Sequence, residues 1–227
     1  MVSPPVPLVV AIDGPAASGK GTLAKRVARE LGFAHLDTGA LYRGVALMVL
    51  NQGGRPEDRE MAAQAAQALD PPVMISLLED PRLRTDELAQ AASAVSVVPA
   101  VRQALLAFQR HFAETPPAQA PGAVLDGRDI GTVICPDAPA KLYVTASPEV
   151  RAERRLKELR GRGQAAIYAS VLKDMKDRDE RDSQRAVSPL RPAADAFLLD
   201  TSAMTADQAF TTAMSFIRSL PAFARLA

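Results

Sequence analysis

The sequence has no tryptophan, one cysteine and two histidines, and each scarcity removes a class of chemistry. A lone thiol, Cys135, cannot build a disulfide framework or a thiolate metal cluster. It reads as a small buried filler beside Pro136. His35 and His111 stand far apart with no metal-ligand spacing around either, which argues against a zinc enzyme and for structural roles. Aromatic residues make up only 4% of the chain. Around the basic stretch from Arg151 to Arg191 the stacking platforms of single-strand nucleic-acid binders are nearly missing, apart from Tyr168. No apolar run reaches the roughly 18 residues of a membrane span. The start, Met1 to Pro7, lacks a basic segment, and Asp13 cuts the following apolar stretch short, so it does not read as a secretory signal. With the lone thiol, these features point to a cytoplasmic protein that takes neither nucleic acid nor membrane as a partner, with monomer as the default state.

What is present suits one α/β domain with appendages. There are 227 residues, 48% hydrophobic, dominated by Ala, Leu and Val. Leu8 to Ile12 is a short apolar run ending at Asp13-Gly14, the pattern of a buried parallel strand. Further short strands are predicted over 33–36, 123–125, 141–146 and 197–199, and one strand of a small hairpin over 73–78. Helical patterns fill 20–31, 40–50, 57–69, 86–98, 99–112, 148–159, 165–185 and 205–219. In the last, Phe210, Ala213, Met214 and Ile217 fall on one face. Residues 115–121 read as a Pro-rich loop. Five apolar strands separated by helices imply a five-stranded, parallel, doubly wound sheet. Net charge is only +1, yet twelve Lys/Arg against seven Asp/Glu lie between Arg151 and Arg191. A basic helical pair on a near-neutral chain suits a local anionic ligand.

Gly14-Pro15-Ala16-Ala17-Ser18-Gly19-Lys20-Gly21-Thr22 follows the first strand and opens the first helix, the context in which G-x-x-x-x-G-K is a phosphate loop. Its glycines let successive backbone N–H groups converge, the helix N-terminus adds positive potential, and Lys20 brings a cation to the β/γ-phosphates. The hydroxyl that usually follows the lysine is replaced by Gly21, with Thr22 one place later. A Mg²⁺ here is expected to be held mainly through water and phosphate oxygens. The sole asparagine, Asn51, precedes Gln52, so the N-K-x-D base-reading motif of switch GTPases is absent.

Two further segments sit where parallel sheets place ligands. In Asp37-Thr38-Gly39-Ala40-Leu41-Tyr42-Arg43, Thr38 is placed to cap the next helix, with Arg43 about one turn inside it. In Asp126-Gly127-Arg128-Asp129, Asp126 is a candidate for ordering a Mg²⁺-bound water. Arg128 and Arg43 form a candidate two-arginine clamp on a phosphate. Other residues are ambiguous on their own. Ser93 reads as a small helix-contact residue. Arg102 reads as a solvated helix face, and Arg178, Asp182 and Arg185, at i, i+4 and i+7, as an exposed ion-pair ladder.

Taken together, the phosphate loop, Asp37 to Arg43, Asp126-Gly-Arg-Asp-Ile-Gly-Thr-Val133 and Arg178-Asp-Glu-Arg-Asp-Ser-Gln-Arg185 resemble bacterial cytidylate kinases. So does Ala186-Val-Ser-Pro-Leu190 followed by Ala193-Ala-Asp-Ala196. The resemblance runs from about Val9 to Ser219. It implies a P-loop kinase that transfers the γ-phosphoryl group of ATP, with Mg²⁺, to CMP or dCMP. It assigns catalysis to Lys20, Arg128, Arg178 and Arg185, and ATP binding to Gly14 through Thr22 with the lid arginines Arg155 and Arg162. Thr38, Arg43 and Arg128 fall where the acceptor phosphate is held. Ser93 and Arg102, with Asp129 and Arg185 nearby, fall where the cytosine is read, and Arg178 and Asp182 where the pentose is contacted. It implies a core of 1–36, 115–150 and 186–227, a monophosphate-binding segment of 37–114, and a lid of 151–185. The segment between Asp70 and Arg84 is too short for the β-hairpin sheet of long-insert relatives, and Ala16-Ala17 replaces a more usual Gly-containing pair. From the residues alone, two alternatives stay open: a P-loop kinase for another small acceptor such as UMP or AMP, and a non-catalytic nucleotide- or RNA-binding module.

Overall fold

The computed structural model describes residues 7–69, 77 and 80–226, without the side chains of 84, 225 and 226. Its centre is the sheet that the apolar runs imply. Strand β1 (Leu8–Asp13) pairs in parallel with β3 (Gly122–Gly127) on one side and β4 (Ala140–Thr145) on the other. Strand β5 (Phe197–Asp200) continues beyond β4, and β2 (Ala34–Asp37) lies outside β3, giving the order β2-β3-β1-β4-β5. β3 is buried along its whole length, as a central strand covered on both faces must be.

The order also locates the ligand crevice. The chain leaves β1 through α1 (Lys20–Leu31) toward β2 on one side. It leaves β3 for β4 on the other. A crevice therefore opens beyond the carboxyl ends of β1 and β3, where Asp13 and Gly127 stand in register.

The described residues up to Leu36 and from Ala113 onward form one compact unit, and Asp37 to Phe112 form a second. In the first, Val10, Ile12, Val124, Leu142 and Val144 pack with Leu23 and Val27 of α1 and with Ala213, Met214 and Ile217 of α8 (Ala206–Ser219). α8 starts on a capping box between Thr205 and Gln208. α6 (Pro148–Gly161) starts on Ser147, with Pro148 in its first turn, and α7 (Tyr168–Ser183) follows it. The second unit holds α2 (Thr38–Asn51), α3 (Arg59–Gln67), α4 (Asp86–Val95) and most of α5 (Pro99–Glu114). Small residues such as Ala62, Ala65, Ala66, Ala91 and Ala92 line its buried faces.

Several sequence expectations need correction. α2 begins two residues earlier than its apolar pattern, at Thr38, so its N-cap is Asp37, not Thr38, and the Asp37 side chain makes no capping bond. Cys135 is half-buried, not a core filler. The loop 115–121 contains a 3₁₀ turn, Pro117–Gln119, with Ala118 at φ 54°. The hairpin strand over 73–78 falls outside the described residues except for Leu77, which is helical. Among the described residues no single helix is long and apolar enough to cross a membrane.

A closing 3₁₀ segment, Pro221–Leu226, has no apolar period to announce it. It nevertheless delivers Phe223, completely buried, to the core beside Phe33, with ring centroids 6.4 Å apart. Truncating a fully buried aromatic removes its transfer energy and leaves a cavity. Phe223→Ala is expected to cost about 3–5 kcal/mol, lowering the thermal midpoint by roughly 6–20 °C in a chain of this size. Calorimetric unfolding of the variant checks this, and a midpoint within a degree or two of the parent would show that the terminal segment does not close the core.

Candidate functional site

The phosphate loop is built by close approach and left-handed backbone. Gly14 adopts φ 150°, and a Cβ there would lie 2.0 Å from the carbonyl oxygen of Val144 on β4, so only glycine lets the chain turn away from β1 at this point. Gly19, at φ 92°, ends the loop at the N-cap of α1. No side chain caps α1, so its first N–H groups stay available to an anion. Lys20 is the first residue of that helix. Ser18 is fully buried, and its hydroxyl has no hydrogen-bond partner.

Ala17 explains the departure from a Gly-containing pair. It sits at φ 56°, a region that costs a non-glycine residue about 1–2 kcal/mol. Its side chain, with that of Ala16, packs against a cluster of Ala152, Leu159, Val171 and Met175 from α6 and α7. A methyl in this position gives the loop an apolar contact that glycine lacks.

Two arginines of α6 reach the loop, and neither stood out in the sequence. Arg151 is buried and donates to the carbonyls of Ala146 at 2.9 Å and Ala16 at 3.3 Å, and to the Asp179 carboxylate at 2.6 Å. Arg154 donates to Thr201 Oγ1 at 2.9 Å, to the Thr201 carbonyl at 2.6 Å and to the Ser18 carbonyl at 3.4 Å. Their i, i+3 spacing just after a strand was the available signal. Arg155 and Arg162, the arginines singled out by resemblance, both pair with Glu158 on the same helix. A cavity of about 240 Å³ lies beside the loop, lined by Ser18, Thr22, Arg154, Thr201, Met204 and Ala209 among others.

Beyond β3, Arg128 Nε donates to Asp182 Oδ2 at 3.0 Å, and Arg185 pairs with the other oxygen, Oδ1. Asp182 is only 1% exposed. The exposed ladder suggested by the spacing of Arg178, Asp182 and Arg185 is thus a half-buried cluster around a buried carboxylate. Burial pushes the Asp182 carboxyl up, but Arg128, Arg185 and Arg178 outweigh it and hold the group below the usual carboxylate range. Asp126 is buried at the end of β3 and its Oδ2 is 2.8 Å from His35 Nε2, which gives that histidine a structural partner. Asp13 accepts the Ile130 and Gly131 N–H groups, both at 2.8 Å. Burial, chiefly, raises its carboxyl to about 7, with Asp129 adding to the rise and the two hydrogen bonds and Arg128 opposing it.

The second unit brings its own candidates together in two groups. Arg43 Nη2 donates to Asp37 Oδ2 at 2.7 Å across the start of α2. Gly39 makes room: a Cβ there would stand 3.1 Å from both Arg43 Nη1 and Asp37 Oδ1. Thr38 is buried between them in sequence. Ser93 is buried with its hydroxyl unpartnered, while its carbonyl accepts from Ser96 Oγ at 2.9 Å. The Ser96 carbonyl is 3.4 Å from Arg102 Nη1. Arg102 is not a solvated helix face. It is 7% exposed and its guanidinium lies 5.4 Å from the centre of the Tyr42 ring. Tyr42 and Ser96 are the residues that the sequence reading missed here; only their burial sets them apart.

A family model described as Cytidylate kinase matches residues 10–219. The chain is 58% identical over 211 residues to a cytidylate kinase of Paramagnetospirillum magneticum, covering 93% of this chain and 98% of that one. It is 57% identical to one of Rhodospirillum rubrum (92% and 97% covered) and 52% identical to one of a Bradyrhizobium species (95% and 98%). Among solved structures, an uncharacterized protein from Eubacterium ventriosum shares the fold at a TM-score of 0.53 and 14% identity, covering 93% of this chain and 99% of that one.

The contrast between Arg151 and Arg155 is testable. Arg151→Ala removes one member of a buried pair and is expected to cost about 3 kcal/mol or more. Arg155→Ala breaks a pair on one helix and is expected to cost no more than about 0.5 kcal/mol. Urea unfolding of both variants separates the two, and equal midpoints would contradict the assignment of Arg151 as a tie between the phosphate loop, α6 and α7.

Proposed function

The chain belongs to the cytidylate kinase family, and from that premise we propose that it transfers the γ-phosphoryl group of ATP to CMP and dCMP, giving CDP and dCDP. The observation that carries the reading is the presence, within one unit, of an uncapped phosphate loop and an arginine pair, Arg128 and Arg185, organised by the buried Asp182. The first suits a triphosphate and the second an anionic acceptor.

On this reading the backbone N–H groups of Gly14 to Thr22 and the Lys20 ammonium hold the donor phosphates, and the cavity lined by Ser18, Arg154 and Thr201 receives the donor base. Thr38, Arg43 and Arg128 hold the acceptor phosphate. Ser93, Arg102, Asp129 and Arg185 read the cytosine, and Arg178 and Asp182 contact the pentose. Arg155 and Arg162 belong to a lid of residues 151–185 that covers ATP, residues 37–114 bind the monophosphate, and the remainder is the core.

The attacking group is a phosphate oxygen that is already anionic, so the transfer needs no general base. Catalysis then consists of alignment and charge neutralisation by Lys20 and the arginines. A lid that excludes water keeps ATP from simple hydrolysis. The residues present fit a Mg²⁺ held through water. Among the described residues there is no cluster of three His, Cys, Asp or Glu side chains to ligate a metal directly. A Cβ at Gly21 would lie 3.8 Å from Asp126 Oδ1, so its absence leaves space beside that carboxylate. Mg²⁺ bound there would neutralise charge on the donor phosphates, with Asp126 orienting one of its waters.

The test is ADP release from MgATP with CMP, dCMP, UMP, AMP or no acceptor. Strong release with CMP and dCMP, weak with UMP and none with AMP is expected. Release independent of acceptor would overturn the reading. Arg128→Ala is expected to lower turnover by two to three orders of magnitude, about the effect of removing one charge-stabilising donor, while leaving affinity for an ATP analogue nearly intact. Lys20→Ala is expected to abolish turnover with the fold retained, as circular dichroism would report.

A further inference from the structure

Asp13 ends β1, one residue before the phosphate loop begins, yet both its carboxylate oxygens turn to a different loop. Oδ1 accepts the N–H of Ile130 and Oδ2 that of Gly131, each at 2.8 Å, 117 and 118 residues away in sequence. These are consecutive main-chain donors at the start of a single π-turn, Ile130–Ile134. The turn satisfies its own later groups: Val133 and Ile134 donate to the Asp129 carbonyl, and Cys135 to that of Ile130. It has nothing of its own for the first two. Buried N–H groups left without acceptors are costly, and Asp13, itself 4% exposed, meets both.

The contact is tight on its far side as well. A Cβ on Gly131 would stand 3.2 Å from Lys141 Cδ and 3.5 Å from Asp13 Oδ2. The turn therefore lies directly on these two side chains, with no layer between. Arg128 and Asp129 are the two residues that lead into it.

We propose that Asp13 is a positioning residue for phosphoryl transfer. By fixing Ile130 and Gly131 to the end of β1, it sets where Arg128 stands relative to the phosphate loop that starts at Gly14. One side chain thereby joins the donor cradle to the acceptor clamp. The inference rests on the reading of Arg128 as a ligand of the acceptor phosphate. Asparagine cannot replace the carboxylate, because its amide offers one acceptor oxygen to two donors and turns an N–H toward the other.

The experiment is a double-mutant cycle on the full chain: parent, Asp13→Asn, Arg128→Ala and both together. Turnover is measured against CMP at saturating MgATP, with affinity for a non-hydrolysable ATP analogue and the thermal midpoint measured in parallel. A displacement of about 1 Å at a reacting group costs about 100-fold, so Asp13→Asn is expected to lower kcat/KM for CMP by about that factor and to leave analogue affinity within about threefold. In the Arg128→Ala background the same change is expected to have less than about a threefold effect, because the group it positions is gone. An equal effect in both backgrounds, or analogue affinity that falls in step with turnover, would reduce Asp13 to a structural role and overturn the proposal. Native turnover in Asp13→Asn beside a crippled Arg128→Ala overturns this inference alone. Native turnover in Arg128→Ala overturns the reading of Arg128 and this inference with it. Should Asp13→Asn not fold, Asp13→Ser, smaller and also limited to one acceptor atom, is carried through the same cycle.

Discussion

Guanidinium groups cannot be gathered in a dry site without anions among them, and this constraint shapes how each of the two units presents its arginines. In water two like charges at 4 Å repel by about 1 kcal/mol; at the lower effective dielectric of a protein surface the figure rises several-fold. The chain meets it by delivering its arginines already paired. Arg128 and Arg185 share Asp182. Arg43 pairs with Asp37, Arg151 with Asp179, and Arg155 and Arg162 with Glu158. Each carboxylate fixes the fork of its arginine before any ligand arrives, so less side-chain freedom is lost when a phosphate binds. The excess of basic residues between Arg151 and Arg191 is thus less a positive surface than a set of ion pairs with spare donors.

Much of the fold was legible because its signals are local. The five short apolar runs, Gly and Pro at their ends, and a phosphate loop with the correct flanks are each contained within about a dozen residues. What was not legible depends on contacts made far along the chain. Arg178, Asp182 and Arg185 have the same spacing as an exposed ion-pair ladder. The approach of Arg128, 54 residues away, to the buried Asp182 makes them a cluster instead. Arg102 looks like any helix-surface arginine until Tyr42 lies beneath it. Asp13 reads as the polar end of a strand, and its partners lie more than a hundred positions on. The π-turn at Ile130 to Ile134 and the closing segment at Pro221 have no periodicity of their own, since tertiary contacts hold both in place.

The phosphate loop shows how local strain and packing trade against each other. Glycine at position 17 would relieve a left-handed backbone. Alanine keeps the strain but extends the apolar cluster of α6 and α7 to the loop itself. Arg151 makes the same connection with polar contacts, reaching the Ala16 carbonyl from α6 and Asp179 on α7. The loop is therefore joined to α6 and α7 by methyl contacts and, from Arg151 and Arg154 of α6, by hydrogen bonds to its Ala16 and Ser18 carbonyls.

The same economy governs the chemistry. A phosphate nucleophile leaves the chain nothing to deprotonate, so the rate rests on charge neutralisation and on precision of placement. Placement needs rigid references, and the end of a central parallel strand is among the most rigid points that a fold offers. β1 is hydrogen-bonded on both sides and buried at its carboxyl end. Both loops that matter are anchored there. The phosphate loop begins covalently at Gly14, pressed against the Val144 carbonyl. The Arg128 loop is tied on by the carboxylate of Asp13. Two parts of the site that lie more than a hundred residues apart in sequence thus take their coordinates from one pair of adjacent residues.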